Sequence, residues 1–171
     1  MNEEKSQWQI DFEDFYDKHP DCPLSEDIES LNLIMKREYA EAIKNGTKTI
    51  EFRDFSKFYC DKLFDKAVDK YISKHKNNPE VRKAMDKGIV TPLKIVNSLH
   101  FHNYNNSWTM DVECVENGVI LLCEEDVKYL QDKYNCHALD EDLKLFEGKP
   151  DEERPMLFWF AVGEIQKCEN I

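Results

Sequence analysis

Hydrophobic and polar positions change period along this chain, and each change marks an element. Leu31-Asn32-Leu33-Ile34-Met35 alternates as a strand does, and Glu38 to Asn45 then repeats at helical spacing with Tyr39, Ala42 and Ile43 on one face. Gly46 stands where a helix needs a left-handed terminating residue, and Thr49-Ile50-Glu51-Phe52-Arg53 returns to period two as a second strand. From Ser56 to Lys76 the apolar positions Phe58, Tyr59, Leu63, Ala67, Val68, Tyr71 and Ile72 predict a helix. Asn78-Pro79 is a cap and first-turn pair, so another helix is expected from Pro79 to Lys87, stopped by Gly88. Pro92 to Phe101 and Trp108 to Val115 read as strands around the turn Asn103-Tyr104-Asn105-Asn106, and Val119 to Cys123 as a further short one. Glu124 to Tyr134 is a helix with acidic residues at its positive end, and Met156 to Ile165 is the apolar closing strand.

Residues 1–30 differ from the rest. They are acidic and broken by Pro20 and Pro23, and Trp8, Ile10, Phe12 and Phe15 suit either a short amphipathic piece or an edge strand. The expected organisation is an N-terminal extension, 1–30, laid on one domain, 31–171, with a helical insertion at about 56–88. About five to seven strands and three or four helices make this an α+β chain, a small β-barrel with helices at its ends.

Composition narrows the classes. A chain of 171 residues with 41% hydrophobic and 12% aromatic residues buries a proper core despite its 34% charged residues. The longest apolar run, Met156 to Val162, is too short for a bilayer, and Met1-Asn2-Glu3-Glu4 is the reverse of a signal peptide. A cytoplasmic protein without a membrane partner is expected. Cys22, Cys60, Cys114, Cys123, Cys136 and Cys168 lack the close pairing of zinc ligands, so free and mostly packed thiols are expected. The net charge of −12 opposes general polyanion binding. Yet Met35 to Ile95 carries 15 Lys/Arg against 9 Asp/Glu, through Lys57, Lys62, Lys66, Lys70 and Lys74 among others. That run is either a solvated helix face or a patch that attracts an anionic ligand.

The strand from Thr49 to Arg53 carries the candidate chemistry. Alternation puts Thr49, Glu51 and Arg53 on one face, with Lys48 just before them. An anion beside two cations can read an amide-like edge: Glu accepts from an amino group, while Lys and Arg donate to a carbonyl or phosphate. A surface salt-bridge cluster is the plainer alternative. Tyr104 and Trp108, around the polar turn, are candidate stacking rings, whereas Trp159 belongs to the core. His100 and His102 share a strand face, and Cys136-His137 follows later, but carboxylates at ligand spacing are missing and neither metal nor cofactor is expected.

Gly46-Thr47-Lys48-Thr49-Ile50-Glu51-Phe52-Arg53, preceded by Met35-Lys36-Arg37-Glu38-Tyr39 and Ala42-Ile43, resembles the opening signature of ASCH domains, members of the PUA-like superfamily. That signature is a strand ending near a basic residue, a helix, and Gly-x-Lys-x-x-Glu-x-Arg on the next strand. Phe158 to Ile165 is similar to the family's last strand. The resemblance implies a small PUA-like β-barrel with flanking helices and a cleft beside the motif, binding RNA, a nucleotide or a modified nucleoside. It implies Gly46, Lys48, Glu51, Arg53 and Lys36 as ligand-binding residues. One branch of the family hydrolyses acetylcytidine with a Lys that Lys48 matches; in an enzyme of this kind Lys48 would activate water or stabilise developing negative charge, Glu51 would move a proton and Arg53 would anchor a carbonyl or phosphate. The sequence departs from that branch, because Glu51 occupies the position of its Thr and Glu124 to Tyr134 offers no match for its Glu. A third reading is a protein-interaction module with an acidic surface.

Overall fold

The computed structural model describes residues 3–171. Ser6 accepts from the Gln9 N–H while the Gln9 side chain accepts from the Ser6 N–H, a capping box that starts α1 (Gln7–Lys18) and settles the open choice at the N-terminus as helix. Then follow β1 (Leu31–Ile34), α2 (Arg37–Lys44) and β2 (Ile50–Asp54), close to the expected strand, helix and strand. The predicted helix over 56–76 is instead two, α3 (Lys57–Leu63) and α4 (Lys66–Lys74). The break has a cause: the Asp65 carboxylate accepts from Ala67 N and Val68 N and so caps a new helix. α5 (Pro79–Asp86) ends before Gly88, whose φ is +71°. β3 (Ser98–His102) and β4 (Thr109–Leu121) flank the expected turn, α6 (Glu124–Tyr134) falls where expected, and α7 (Asp140–Leu145) precedes β5 (Met156–Glu169).

Contacts divide the chain into two compact units. One joins the residues up to Glu26 with Asp61–Lys94; the other joins Asp27–Cys60 with Ile95–Ile171. In the first, Phe15 and Cys22 share a core with Val68, Tyr71, Val81, Ala84 and Val90. The N-terminal segment and the helical insertion, read separately in the sequence, thus fold as one small helical body. The lysines of the expected basic stripe are exposed on α3 and α4 without forming one helix face.

The second unit is a five-stranded sheet in the order β1-β3-β4-β5-β2, parallel only between β1 and β3, curled into a half-barrel. With its seven helices among the described residues, the chain is a mixed α+β protein. The two strands expected at 108–115 and 119–123 are a single long one. β4 pairs with β5 through register shifts between Asp111 and Glu116, and such bulges bend a strand. Gly118 faces Trp159 across this pair, where an added Cβ would lie 2.7 Å from the indole nitrogen. Only glycine allows the ring to lie that close.

On one sheet face, Ile50 and Phe52 of β2 pack with Ile120, Leu122, Trp159 and Ala161 and with Val127 and Leu130 of α6. Neighbouring β2 residues must therefore face the other way, and these are Glu51 and Arg53.

Among the described residues no helix is long and apolar enough to cross a membrane. All six cysteines are free, and burial pushes the Cys114 thiol up to about 12.

Candidate functional site

The edges of the curled sheet are β1 and β2, and the sequence motif lies on one of them. Gly46, at φ +82°, turns the chain out of α2; an added Cβ would meet nothing, so its requirement is backbone conformation alone. Thr47 N and Lys48 N then donate to Ala42 O, which fixes how the chain enters β2. Thr49 donates its hydroxyl to Tyr134 O. Arg53 reaches from β2 to the opposite edge, where its Nη2 donates to Ile34 O at 2.9 Å. One guanidinium thus bridges the two ends of the half-barrel's open side.

A groove of about 370 Å³ opens there. Met35, Lys36 and Tyr39 line it from one edge; Glu51, Arg53 and Tyr59 line it from the other. Glu51 is only 8% exposed, and its carboxylate lies 3.5 Å from both Lys48 Nζ and Arg53 Nη2. Those separations exceed the ~2.7–2.9 Å of a charge-assisted hydrogen bond. Glu51 Oε2 and Arg53 Nε are the buried side-chain polar atoms without a hydrogen-bond partner among the described residues. An acceptor and a donor stand unpaired side by side in one groove, where burial penalises each. Lys48 Nζ also sits 5.5 Å from the centroid of the Tyr39 ring, and Arg53 Nη1 is 3.5 Å from the Tyr59 hydroxyl.

The structure therefore brings Lys48, Glu51 and Arg53 together and sets Lys36 at the groove's rim. Tyr104 and Trp108 lie on an adjoining groove of about 550 Å³ that shares Ile34, Met35 and Lys36 with the first. Trp108 does not provide the stacking face expected of it: the residue is 2% exposed, whereas Tyr104 is 89% exposed. A polar turn in sequence does not keep the next residue at the surface: Trp108, directly before β4, is turned into the core. Sequence reasoning missed Tyr59 and misplaced Tyr39. The buried residues of α2 are Ala40 and Ile43, so Tyr39 points outward instead of joining Ile43. A spacing of three from Ala40 to Ile43 was the available signal.

A second carboxylate cluster lies on the opposite sheet face. Ala161 of β5 faces both Ile50 and Glu116, whereas Phe160 faces both Glu51 and Asn117. Glu116 is therefore on the face that carries Ile50. It accepts from Tyr129 (2.6 Å), Tyr134 and Lys133 (3.1 Å). Burial alone would raise its pKa, but these hydrogen bonds outweigh it and hold the carboxyl below 4.5. Burial and the bond to Glu116 together push Tyr134 up to about 12.

On β3, His100 Nδ1 bonds Asp111, and the His100 and His102 rings are 5.6 Å apart. Among the described residues no three His, Cys, Asp or Glu side chains are placed to hold a metal ion.

Fold and site together define an α+β protein with a charged groove on the open side of a curled sheet. The chain matches no protein-family model, no curated protein and no solved structure.

Proposed function

We propose that the groove binds a nucleobase or modified nucleoside, and that the chain is an ASCH domain of the PUA-like superfamily. One observation carries the binding reading: a nearly buried carboxylate with an unpartnered oxygen beside an unpartnered guanidinium N–H. A ligand that completes both must present a donor next to an acceptor on a rigid edge, as an exocyclic amino group beside a ring nitrogen or carbonyl does. Glu51 Oε2 accepts the amino N–H, Arg53 donates to the acceptor, and Tyr39 and Tyr59 form the flanking walls. The family reading is supported by Gly46, Lys48, Glu51 and Arg53 standing in the motif's order on a helix, turn and strand.

The test is a thermal-shift screen of the wild type and Glu51→Gln against nucleosides and acetylcytidine, with product analysis of every hit. At a hundredfold excess over Kd, a bound nucleoside raises Tm by about 5–10 °C. The shift is lost in Glu51→Gln, where an amide N–H replaces part of the acceptor. No shift with any nucleoside rejects the proposal. Product formation moves the chain to the hydrolase reading, with Lys48 rather than Thr49 activating water, since the Thr49 hydroxyl is held by Tyr134 O.

A further inference from the structure

Histidines in this chain differ in which ring nitrogen the fold uses. His137 has both engaged, by Asp140 and Asn135, and His19 meets Glu80 through Nε2. His100 and His102 are held the other way. They stand two residues apart on β3, so their rings share one sheet face, with centres 5.6 Å apart. His100 Nδ1 bonds the Asp111 carboxylate, which the β3–β4 register sets directly opposite, and His102 Nδ1 bonds Asn103 O at 2.9 Å. A carbonyl and an ionised carboxylate can only accept, so each Nδ1 carries the proton and each Nε2 keeps its lone pair. Neither Nε2 has a hydrogen-bond partner among the described residues. In sequence these imidazoles lack a carboxylate at ligand spacing. The cross-strand register supplies one, in Asp111, as an orienting partner and not as a ligand.

We infer that His100 and His102 form a two-imidazole site for a borderline divalent transition metal such as Zn²⁺, bound through both Nε2 atoms, with Asp111 as its positioning residue. Giving the Nδ1 proton to a carboxylate or a backbone carbonyl is the usual way a ligating imidazole is fixed in tautomer and orientation. The separation of the rings agrees. A metal about 2.1 Å from each Nε2 lies roughly 3.2 Å from each ring centre, so centres 5.6 Å apart subtend roughly 120° at it, close to a tetrahedral angle. About a third of the His100 and Asp111 side chains is exposed, so a hydrated ion has access and water completes the coordination. With two protein ligands this is an open site, distinct from the clusters of three or more that the described residues lack. Lys167, opposite Asp111 on β5, is paired with Glu169 at 3.1 Å, so its charge is compensated. Imidazole nitrogen selects Zn²⁺, Ni²⁺ or Cu²⁺ over Mg²⁺. None of this depends on what the Glu51 groove binds.

The experiment records imidazole ¹⁵N spectra of the full chain, stripped of metal with a chelator, during titration with Zn²⁺ and separately with Mg²⁺. Before any metal, both His100 and His102 should be in the Nδ1–H form. Zn²⁺ should then shift the two Nε2 resonances together, saturating at one ion per chain, while His137 stays unmoved and Mg²⁺ moves none of them. Asp111→Ala should release His100 from the Nδ1–H form, leave His102 in it, and weaken Zn²⁺ binding about 10- to 100-fold. His102→Gln should weaken it at least as much, whereas His137→Gln should not change it. The wild-type spectra decide even if a variant fails to fold. Zn²⁺ that moves neither Nε2, as binding at the cysteines would, overturns the inference. So does a shift confined to one of the two rings, an equal response to Mg²⁺, or an affinity that Asp111→Ala leaves unchanged.

Discussion

Glu51 and Glu116 lie one register step apart on opposite faces of the same sheet, and they are held in opposite ways. Glu116 accepts from two phenols and a lysine, with both oxygens used and its pKa depressed. Glu51 is buried more deeply, yet its two cations stand off at 3.5 Å and one oxygen has no hydrogen-bond partner among the described residues. A carboxylate that a fold keeps for stability is satisfied by the fold. One that is buried and left short has spare bonding capacity, and the binding proposal rests on that. The presence of Lys and aromatic neighbours does not separate the two cases, since Glu51 has Lys48 and Tyr39 near it while Glu116 has Lys133 and Tyr129. Satisfaction separates them.

The largest expected effect is on binding. Glu51→Ala should weaken the best nucleoside about tenfold to 150-fold, since a hydrogen bond to a charged group contributes about 1.5–3 kcal/mol. Its cost to stability should stay within about 1 kcal/mol, because both cations stand off at 3.5 Å and no short charge-assisted hydrogen bond is lost with the carboxylate. Calorimetric titration and a denaturant melt read the two quantities. A stability loss as large as that of the next variant would erase the comparison.

Glu116→Ala should do the reverse. Removing the shared acceptor leaves the partly buried Tyr134 hydroxyl without its partner, a loss of about 2 kcal/mol that lowers Tm by roughly 4–8 °C. Nucleoside affinity should be unchanged, because Glu116 faces away from the groove. A fall in affinity equal to that of Glu51→Ala would mean that the sheet transmits the change and that neither carboxylate is specific to its face.

Acid sharpens the same contrast. The folded-state pKa of Glu116 is lowered, so its contribution is fully present above the ordinary carboxyl value of 4.5 and is lost as pH falls through the depressed value. Unfolding free energies of the wild type and Glu116→Gln should therefore differ near neutrality and converge below pH 4.5. A gap that persists unchanged to pH 2.5 would show that the ionised form is not what the phenols and Lys133 stabilise.

Local pattern in the sequence reaches part of this comparison. The octapeptide from Gly46 to Arg53, its strand setting and the left-handed turn at Gly46 are all legible, because period and turn chemistry act over a few residues. What makes the groove is not. Arg53 finds its acceptor on Ile34, 19 residues away, only because the sheet curls, and the bulges that bend β4 lie between Asp111 and Glu116, where the sequence reads as a regular strand. Glu116 gave no signal, since its partners on α6 come into reach through packing of Val127 and Leu130 on the sheet. The join of the N-terminal helix with the insertion was hidden for the same reason. Phe15 and Val81 share a core across 66 residues, and no periodicity registers a contact of that length.

The smallest effect discriminates between the phenols. Tyr129 donates to Glu116 at 2.6 Å, while its ring lies 6.1 Å from that of Trp159. Tyr129→Phe keeps the ring and removes one donor from an exposed bond, so it should cost about 0.5–1 kcal/mol, or roughly 1–4 °C in Tm. Tyr39→Phe also keeps its ring, together with the contact to Lys48, and its hydroxyl makes no hydrogen bond among the described residues. That variant should melt with the wild type to within about 0.3 kcal/mol, the scale of a surface substitution. The two changes remove the same atom, so their difference isolates the two hydrogen bonds of the Tyr129 hydroxyl, one given to Glu116 and one received from Lys133 at 3.1 Å. If both cost the same, these bonds add nothing in water, and Lys133 and Tyr134 alone hold Glu116 ionised. If only Tyr39→Phe weakens nucleoside binding, its hydroxyl as well as its ring belongs to the groove.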